Sequence, residues 1–321
     1  MKGSKPAGSN PHDALFKRTF SQVEHAAGLL RAVLPAEVVP RIDWATLEQV
    51  PGSFVDARLA QRHSDLLFSA RLVGGGTALL YVLVEHQSEP DPWMALRMYG
   101  YVDRIWQRWR GEHAEAERLP AVVPVVVHHG RGPWTAARAL GDLYDLDDET
   151  RRALRSPVPE LAFVLDDLGR IATPALEARP MTDLGRLVLL CLQRARVSAD
   201  MVADLERWLD MLRHVLAGPT GRDAIATVLR YVLRVSDAEP ERLLAMLEAG
   251  IGSEATEAFM TGAEKLIEKG RAEVLLRQLA LRFGTIDAAT VARVRAARPE
   301  ELDRWVDRVL TAASLDELFA P

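Results

Sequence analysis

One cysteine, Cys191, is all the thiol this chain carries. It excludes an intramolecular disulfide and a cysteine-based zinc cluster, and it fits a reducing cytoplasm. Also missing is any apolar run of membrane-spanning length. The opening residues, MKGSKPAGSN, lack the hydrophobic core of a signal peptide, and 1–10 read as a disordered leader. The expectation is a cytoplasmic protein with no membrane partner. An excess of positive charge is absent too: 40 Lys and Arg stand against 45 Asp and Glu, for a formal net charge of -5. No whole-molecule field draws nucleic acid, so such a contact has to be local or assisted by a bound cation. There is no internal repeat, and no low-complexity tract beyond the leader.

What is present is enough for two or three domains: 321 residues, 48% of them hydrophobic. The stretch that organises them is SDLLFSARLVGGGTALLYVLVEHQ, from Ser64 to Gln87. Two apolar segments flank Gly74, Gly75 and Gly76, which is the pattern of a β-hairpin with a glycine turn. Asp65 lies ten residues before Gly75 and Glu85 ten after it. A hairpin symmetric about Gly75 sets the two acids opposite each other, with Cβ atoms about 4.5–5.5 Å apart. Strand alternation puts Glu85 and Gln87 on one face and His86 on the other. Two carboxylates that close repel unless a proton or a cation intervenes. Oxygen ligands of this kind suit Mg²⁺, which points to a metal-dependent hydrolytic site. The competing reading is an acid at each strand end, facing solvent as a terminator.

Along the rest of the chain, Phe16, Phe20, Val23, Ala27, Leu30 and Leu34 recur at helical spacing and predict one helix over 12–34, closed by Pro35. Asp13 suits its cap or first turn, and Lys17 lies off the stripe. A strand is expected at Leu47–Val50, with a further extended piece at Ser53–Asp56. The continuous run Leu79–Val84 reads as a central strand. Trp93–Gly111 reads as a helix carrying Arg97, Arg104, Arg108 and Arg110. Arg97, at the end nearest the hairpin, is a candidate phosphate contact. AVVPVVVHH, 121–129, is a strand whose Pro124 predicts an edge or a bulge. His128 and His129 alternate across it, so only one of them could reach a given site. Each is expected to be a structural or hydrogen-bonding histidine. Glu160–Leu168 is a strand or short helix. Beyond 180 the spacing is helical throughout: 181–197, 199–217, 220–234, 238–249, 255–283, 287–297 and 299–312, with Gly284 as a stop. Residues 11–170 thus form an α/β domain, and 180–321 an all-helical region. That region is either an interaction module, forming a homo-oligomer, or a bundle packed on the first domain.

The order of elements resembles the PD-(D/E)XK restriction-endonuclease-like core, in which a central mixed sheet is flanked by helices. There an acid in the second strand and an E-x-K pair in the third build the metal site. Asp65 matches the first acid and Glu85 the second, while Gln87 stands where lysine is usual. The wording is nearer to one branch. DALFKRTF (13–20), VPGSFVD (50–56), RHSDLLFSARL (62–72), YVLVEHQSEPDPWMALRMYGYVDRIW (81–106) and LPAVVPVVVHHGRGPW (119–134) resemble the Rpn recombination-promoting nucleases. That group is often labelled YhgA-like transposase, although no DDE-type acid triad is visible here. RAEVLLRQLALRFG (271–284) and SLDELF (314–319) resemble the helical tail of the same family.

The resemblance implies a Mg²⁺-dependent DNA endonuclease, tied to recombination or mobile elements, that hydrolyses phosphodiester bonds. Asp65, Glu85 and the His86 carbonyl would hold the ion, and Gln87 would orient the attacking water. Asp13 and Lys17, in the N-terminal motif, would serve metal support and phosphate binding. Lysine's charge can stabilise a hydroxide and glutamine cannot. The alternative is therefore a DNA-binding or regulatory protein that keeps the fold and cuts weakly or not at all.

Overall fold

The computed structural model describes residues 10–50, 66–85, 90–130, 132–154, 158–284, 286–309, 312 and 314–319, and for 81–85, 254, 258–259, 261–271, 299–300 and 316 the backbone alone. The expected extended piece at Ser53–Asp56 lies outside these residues. Two helices open the chain, α1 (Pro11–Phe20) and α2 (Val23–Val33), where the periodicity predicts one. Asn10 caps α1 by accepting from the His12 N–H, and Asp13 sits in its first turn. The break falls at Ser21 and Gln22, the latter with extended backbone. It lets Leu15, Phe16 and Phe20 reach the same core as Ala26, Leu29 and Leu30. A straight helix has one apolar stripe and would have to choose between them.

Five strands follow in the spatial order β1 (Ile42–Val50), β2 (Leu66–Leu72), β3 (Thr77–Glu85), β4 (Ala121–His128) and β5 (Val164–Asp167). The first three pair antiparallel and the last three parallel, so the sheet is mixed and β3 is central, as its apolar run requires. The hairpin register differs from the symmetric expectation. Leu66 pairs with Val82 and Ala70 with Ala78, which centres the hairpin on Gly74 rather than Gly75. The turn sets this: the Gly75 N–H donates to the Leu72 carbonyl, and Leu72 N–H to Gly76. Gly75 and Gly76 have φ of 91 and 90°, a left-handed backbone that favours glycine.

Pro124 lies neither on an edge strand nor in a bulge, because β4 runs between β3 and β5. The short β5 pairs only with Val125 through His128, so at Pro124 the sheet still has an open side that needs no N–H.

The sheet is covered on both faces. Leu66, Phe68, Leu80, Val125 and Val127 join the larger core, under α1 and α2. Leu67, Leu79 and Val126 join a smaller one under α3 (Met94–Glu112), with Met94, Met98 and Phe163. The chain after β4 adds α4 (Asp148–Leu154) and, beyond β5, α5 (Thr173–Glu177), α6 (Asp183–Arg194), α7 (Met201–Arg207), α8 (Leu209–Leu216), α9 (Gly221–Val235) and α10 (Pro240–Gly250). The helix expected over 199–217 is split at Trp208, whose indole is buried and donates to Glu177 Oε1 at 2.6 Å. The larger core runs from Leu15 to Ala255, so α6–α10 share it with α1, α2 and the sheet. A 31-residue helix, α11 (Ser253–Phe283), then leads to α12 (Ala288–Arg295), α13 (Pro299–Arg308) and α14 (Leu315–Leu318). These enclose a separate cluster around Leu275, Leu279, Val294 and Trp305. Among the described residues, no helix is long and apolar enough to cross a membrane.

Candidate active site at the carboxyl end of the sheet

Three parallel strands end level with one another. Glu85 closes β3, His128 closes β4 and Asp167 closes β5; the ladder pairs Glu85 with His128 and His128 with Asp167. Paired positions on parallel strands share a face, and neighbouring strands run about 4.7–4.9 Å apart. Crevices outside the carboxyl ends of such strands are the usual ligand sites of open α/β sheets.

His128 is fully buried, and its Nδ1 lies 2.9 Å from Asp167 Oδ1. The other carboxylate oxygen accepts the Trp134 backbone N–H at 2.8 Å. Trp134 stands edge-on to the imidazole, ring centres 5.2 Å apart, and edge-on to Phe163 beyond. With both oxygens engaged, Asp167 fixes the plane of the imidazole. His128 Nε2 is buried and has no hydrogen-bond partner among the described residues.

The expected alternation of the two histidines holds. His129 lies on the other face, its ring 4.7 Å from that of His12 at the start of α1. His12 Nδ1 meets the Tyr231 hydroxyl at 2.8 Å, tying α1 to α9. Burial pushes the Tyr231 phenol well above its ordinary range, which keeps it a neutral hydrogen-bonding group. Burial likewise raises the nearby Cys191 thiol, and that makes it a poor nucleophile.

The residues singled out from the sequence fare unequally. Asp65, His86 and Gln87 lie outside the described residues, and Glu85 is placed by its backbone. The hairpin that was to set Asp65 opposite Glu85 is centred on Gly74, so that symmetry is not the one the described strands follow. Asp13 and Lys17 lie on α1, whose buried residues belong to the larger core, across the sheet from His128. Arg97 is on the His128 side, in the first turn of α3, and pairs with Asp91 Oδ2 at 2.7 Å. A phosphate would have to share or displace that carboxylate. The link from His128 to Asp167 was not foreseen; a strand ending in paired acids, VLDD, was its only trace in the sequence. Among the described residues, no three His, Cys, Asp or Glu side chains gather as a metal site.

Over residues 10–222 the chain matches the family described as "Putative transposase, YhgA-like". It belongs to that family. It is 29% identical over 265 residues to the recombination-promoting nuclease RpnC of Escherichia coli (strain K12), covering 82% of each chain. To the recombination-promoting nuclease RpnD of Escherichia coli O157:H7 it is 30% identical over 236 residues, covering 72% of this chain and 84% of the other. A third relative, 28% identical over 265 residues, is the inactive recombination-promoting nuclease-like protein RpnE of Escherichia coli (strain K12); 82% of this chain and 83% of the other are covered. No solved structure matches.

Proposed function

We propose that this chain is a divalent-metal-dependent endonuclease of the PD-(D/E)XK type that hydrolyses phosphodiester bonds in DNA during recombination or mobile-element processes. The observation that carries the reading is the placement of Glu85 at the carboxyl end of the central strand, level with a buried imidazole that has one nitrogen to spare. Family membership and relatives named as nucleases support it.

A carboxylate and an imidazole nitrogen at one end of a sheet form a donor set that suits a divalent cation. In this reading Asp65 and Glu85 hold the ion, with the His86 carbonyl as a further oxygen donor. The chemistry such an ion would supply is a bound water of lowered pKa and a polarised phosphate. Gln87 orients the attacking water by hydrogen bonding. Arg97 holds a phosphate oxygen in competition with Asp91.

Supercoiled plasmid with added Mg²⁺ or Mn²⁺ tests the proposal. The wild-type chain nicks it, and Glu85→Ala and Asp65→Ala each abolish nicking while thermal unfolding stays unchanged. A second reading, in which the chain binds DNA without cutting, draws on the glutamine at 87 and on the relative named inactive. It prevails where no divalent ion supports cleavage and the wild type still retards DNA in a gel.

A further inference from the structure

We infer that His128 is a nitrogen ligand for the divalent ion at the carboxyl end of the sheet, through Nε2, and that the site therefore prefers Mn²⁺ to Mg²⁺. The inference deepens the nuclease reading and rests on it for the ion's place beside Glu85.

An ionised carboxylate only accepts, so Asp167 Oδ1 at 2.9 Å assigns the imidazole proton to Nδ1. In the neutral ring Nε2 then carries the lone pair, the form in which imidazole binds metals. The Trp134 N–H holds the second oxygen of Asp167, so the carboxylate cannot swing away and release the ring. A histidine that ligates a metal usually gives its other N–H to such a carboxylate, which orients the ring and raises its basicity.

Burial supplies the second argument. The side chain is 0% exposed and its Nε2 makes no hydrogen bond among the described residues. Leaving a buried polar atom unsatisfied forfeits the hydrogen bond it made with water in the unfolded chain and destabilises the fold. A cation bound there removes that cost.

Register supplies the third. Position 128 is the backbone ladder partner of position 85 at the end of the central strand, and His128 shares the face of Val126 and Trp134. His129 cannot substitute, since it lies on the opposite face against His12. Mg²⁺ takes oxygen ligands almost exclusively, whereas Mn²⁺, itself a hard ion but a transition metal, accepts an imidazole nitrogen more readily, hence the selectivity between the two.

The test uses the full chain loaded with Mn²⁺. Pulsed electron paramagnetic resonance detects a directly bound nitrogen as modulation of the manganese echo. It is expected in the wild type and absent in His128→Asn, where the amide still donates to Asp167 but no Nε2 remains. Calorimetry should show the Mn²⁺-to-Mg²⁺ affinity ratio falling about tenfold or more in His128→Asn. Asp167→Asn should lose about 10–100-fold in Mn²⁺ affinity. A wild-type chain that binds Mn²⁺ without nitrogen modulation overturns the inference, and needs no variant to fold. Nitrogen modulation that persists in a folded His128→Asn overturns it as well. If Glu85→Ala loses Mn²⁺ binding and cleavage while His128→Asn keeps both, His128 is structural only and the nuclease reading stands. A wild type that binds no divalent ion ends both.

Discussion

The two faces of the sheet use the same residue types at neighbouring positions and leave them in different states. On the larger-core face, Asp166 is met by both arms of the Arg179 guanidinium, at 2.6 and 2.8 Å. On the α3 face, its neighbour Asp167 holds an imidazole that keeps one nitrogen in reserve. The first arrangement is closed. A bidentate pair between a carboxylate and a guanidinium satisfies the oxygens and fastens β5 to the chain after α5. The second is open, because fixing one nitrogen of a ring presents the other. A strand end can thus be a structural anchor on one side and, in the proposed site, a binding position on the other, decided by whether the partner has a second functional atom.

The widest gap should appear in stability. Arg179→Ala strands a carboxylate that is 4% exposed, and breaking a buried pair this way costs about 3–5 kcal/mol. His128→Asn retains a donor for Asp167 and removes an atom that has no hydrogen bond, so its cost should stay below about 1.5 kcal/mol. Urea unfolding of the two variants measures both. Equal losses would mean that the faces do not differ and that His128 is as much an anchor as Arg179.

Much of this architecture is visible in the residues. Three glycines between apolar segments give the hairpin, and the run Leu79–Val84 gives a strand covered on both faces. Pairing details are another matter. The hairpin centre moved by one residue because two left-handed glycines, 75 and 76, shape the turn, and no apolar pattern encodes that choice. Pro124 reads as an edge marker because its missing N–H is local knowledge, whereas the length of β5 is not. His128 and Asp167 are 39 positions apart, and only the parallel register of β4 and β5 brings them level. An acid and a histidine joined by tertiary pairing leave no spacing motif, in contrast to the short E-x-Q segment that locates Glu85.

A smaller contrast lies within the cores. Leu80 is 0% exposed in the larger core and Leu79 is 4% exposed in the smaller one, on consecutive residues of β3. Leu79 also borders an open groove shared with Glu48, Arg71, Thr77, Trp109 and His113. Truncating a buried leucine costs about 2–5 kcal/mol, more where the surroundings cannot relax. Leu80→Ala should fall near the top of that range and Leu79→Ala near the bottom, since side chains and water can enter from the groove. Thermal unfolding decides it, and a reversed order would show the α3 face to be the tighter one.

The weakest expected effect belongs to His25, on the larger-core face, and concerns pH. Its Nδ1 lies 2.7 Å from Thr182 Oγ1, the residue whose side chain caps α6. Burial lowers the His25 pKa, and the nearby Glu24 opposes this only in part. A histidine free in the unfolded chain titrates near about 6.5. Between that value and the lower folded one, the unfolded chain binds more protons than the folded chain. Stability from this group therefore rises with pH through the window, is fully present above about pH 6.5, and is lost as pH falls toward the folded value. His25→Asn, which keeps a polar atom near the Nδ1 position, should flatten that part of the profile and leave the slope elsewhere unchanged. Unfolding midpoints taken in steps from pH 5 to 8 supply the comparison. A wild-type midpoint that increases as pH drops across this window would show that the charged imidazole is the form the fold prefers, and that this face too holds a histidine open to a partner.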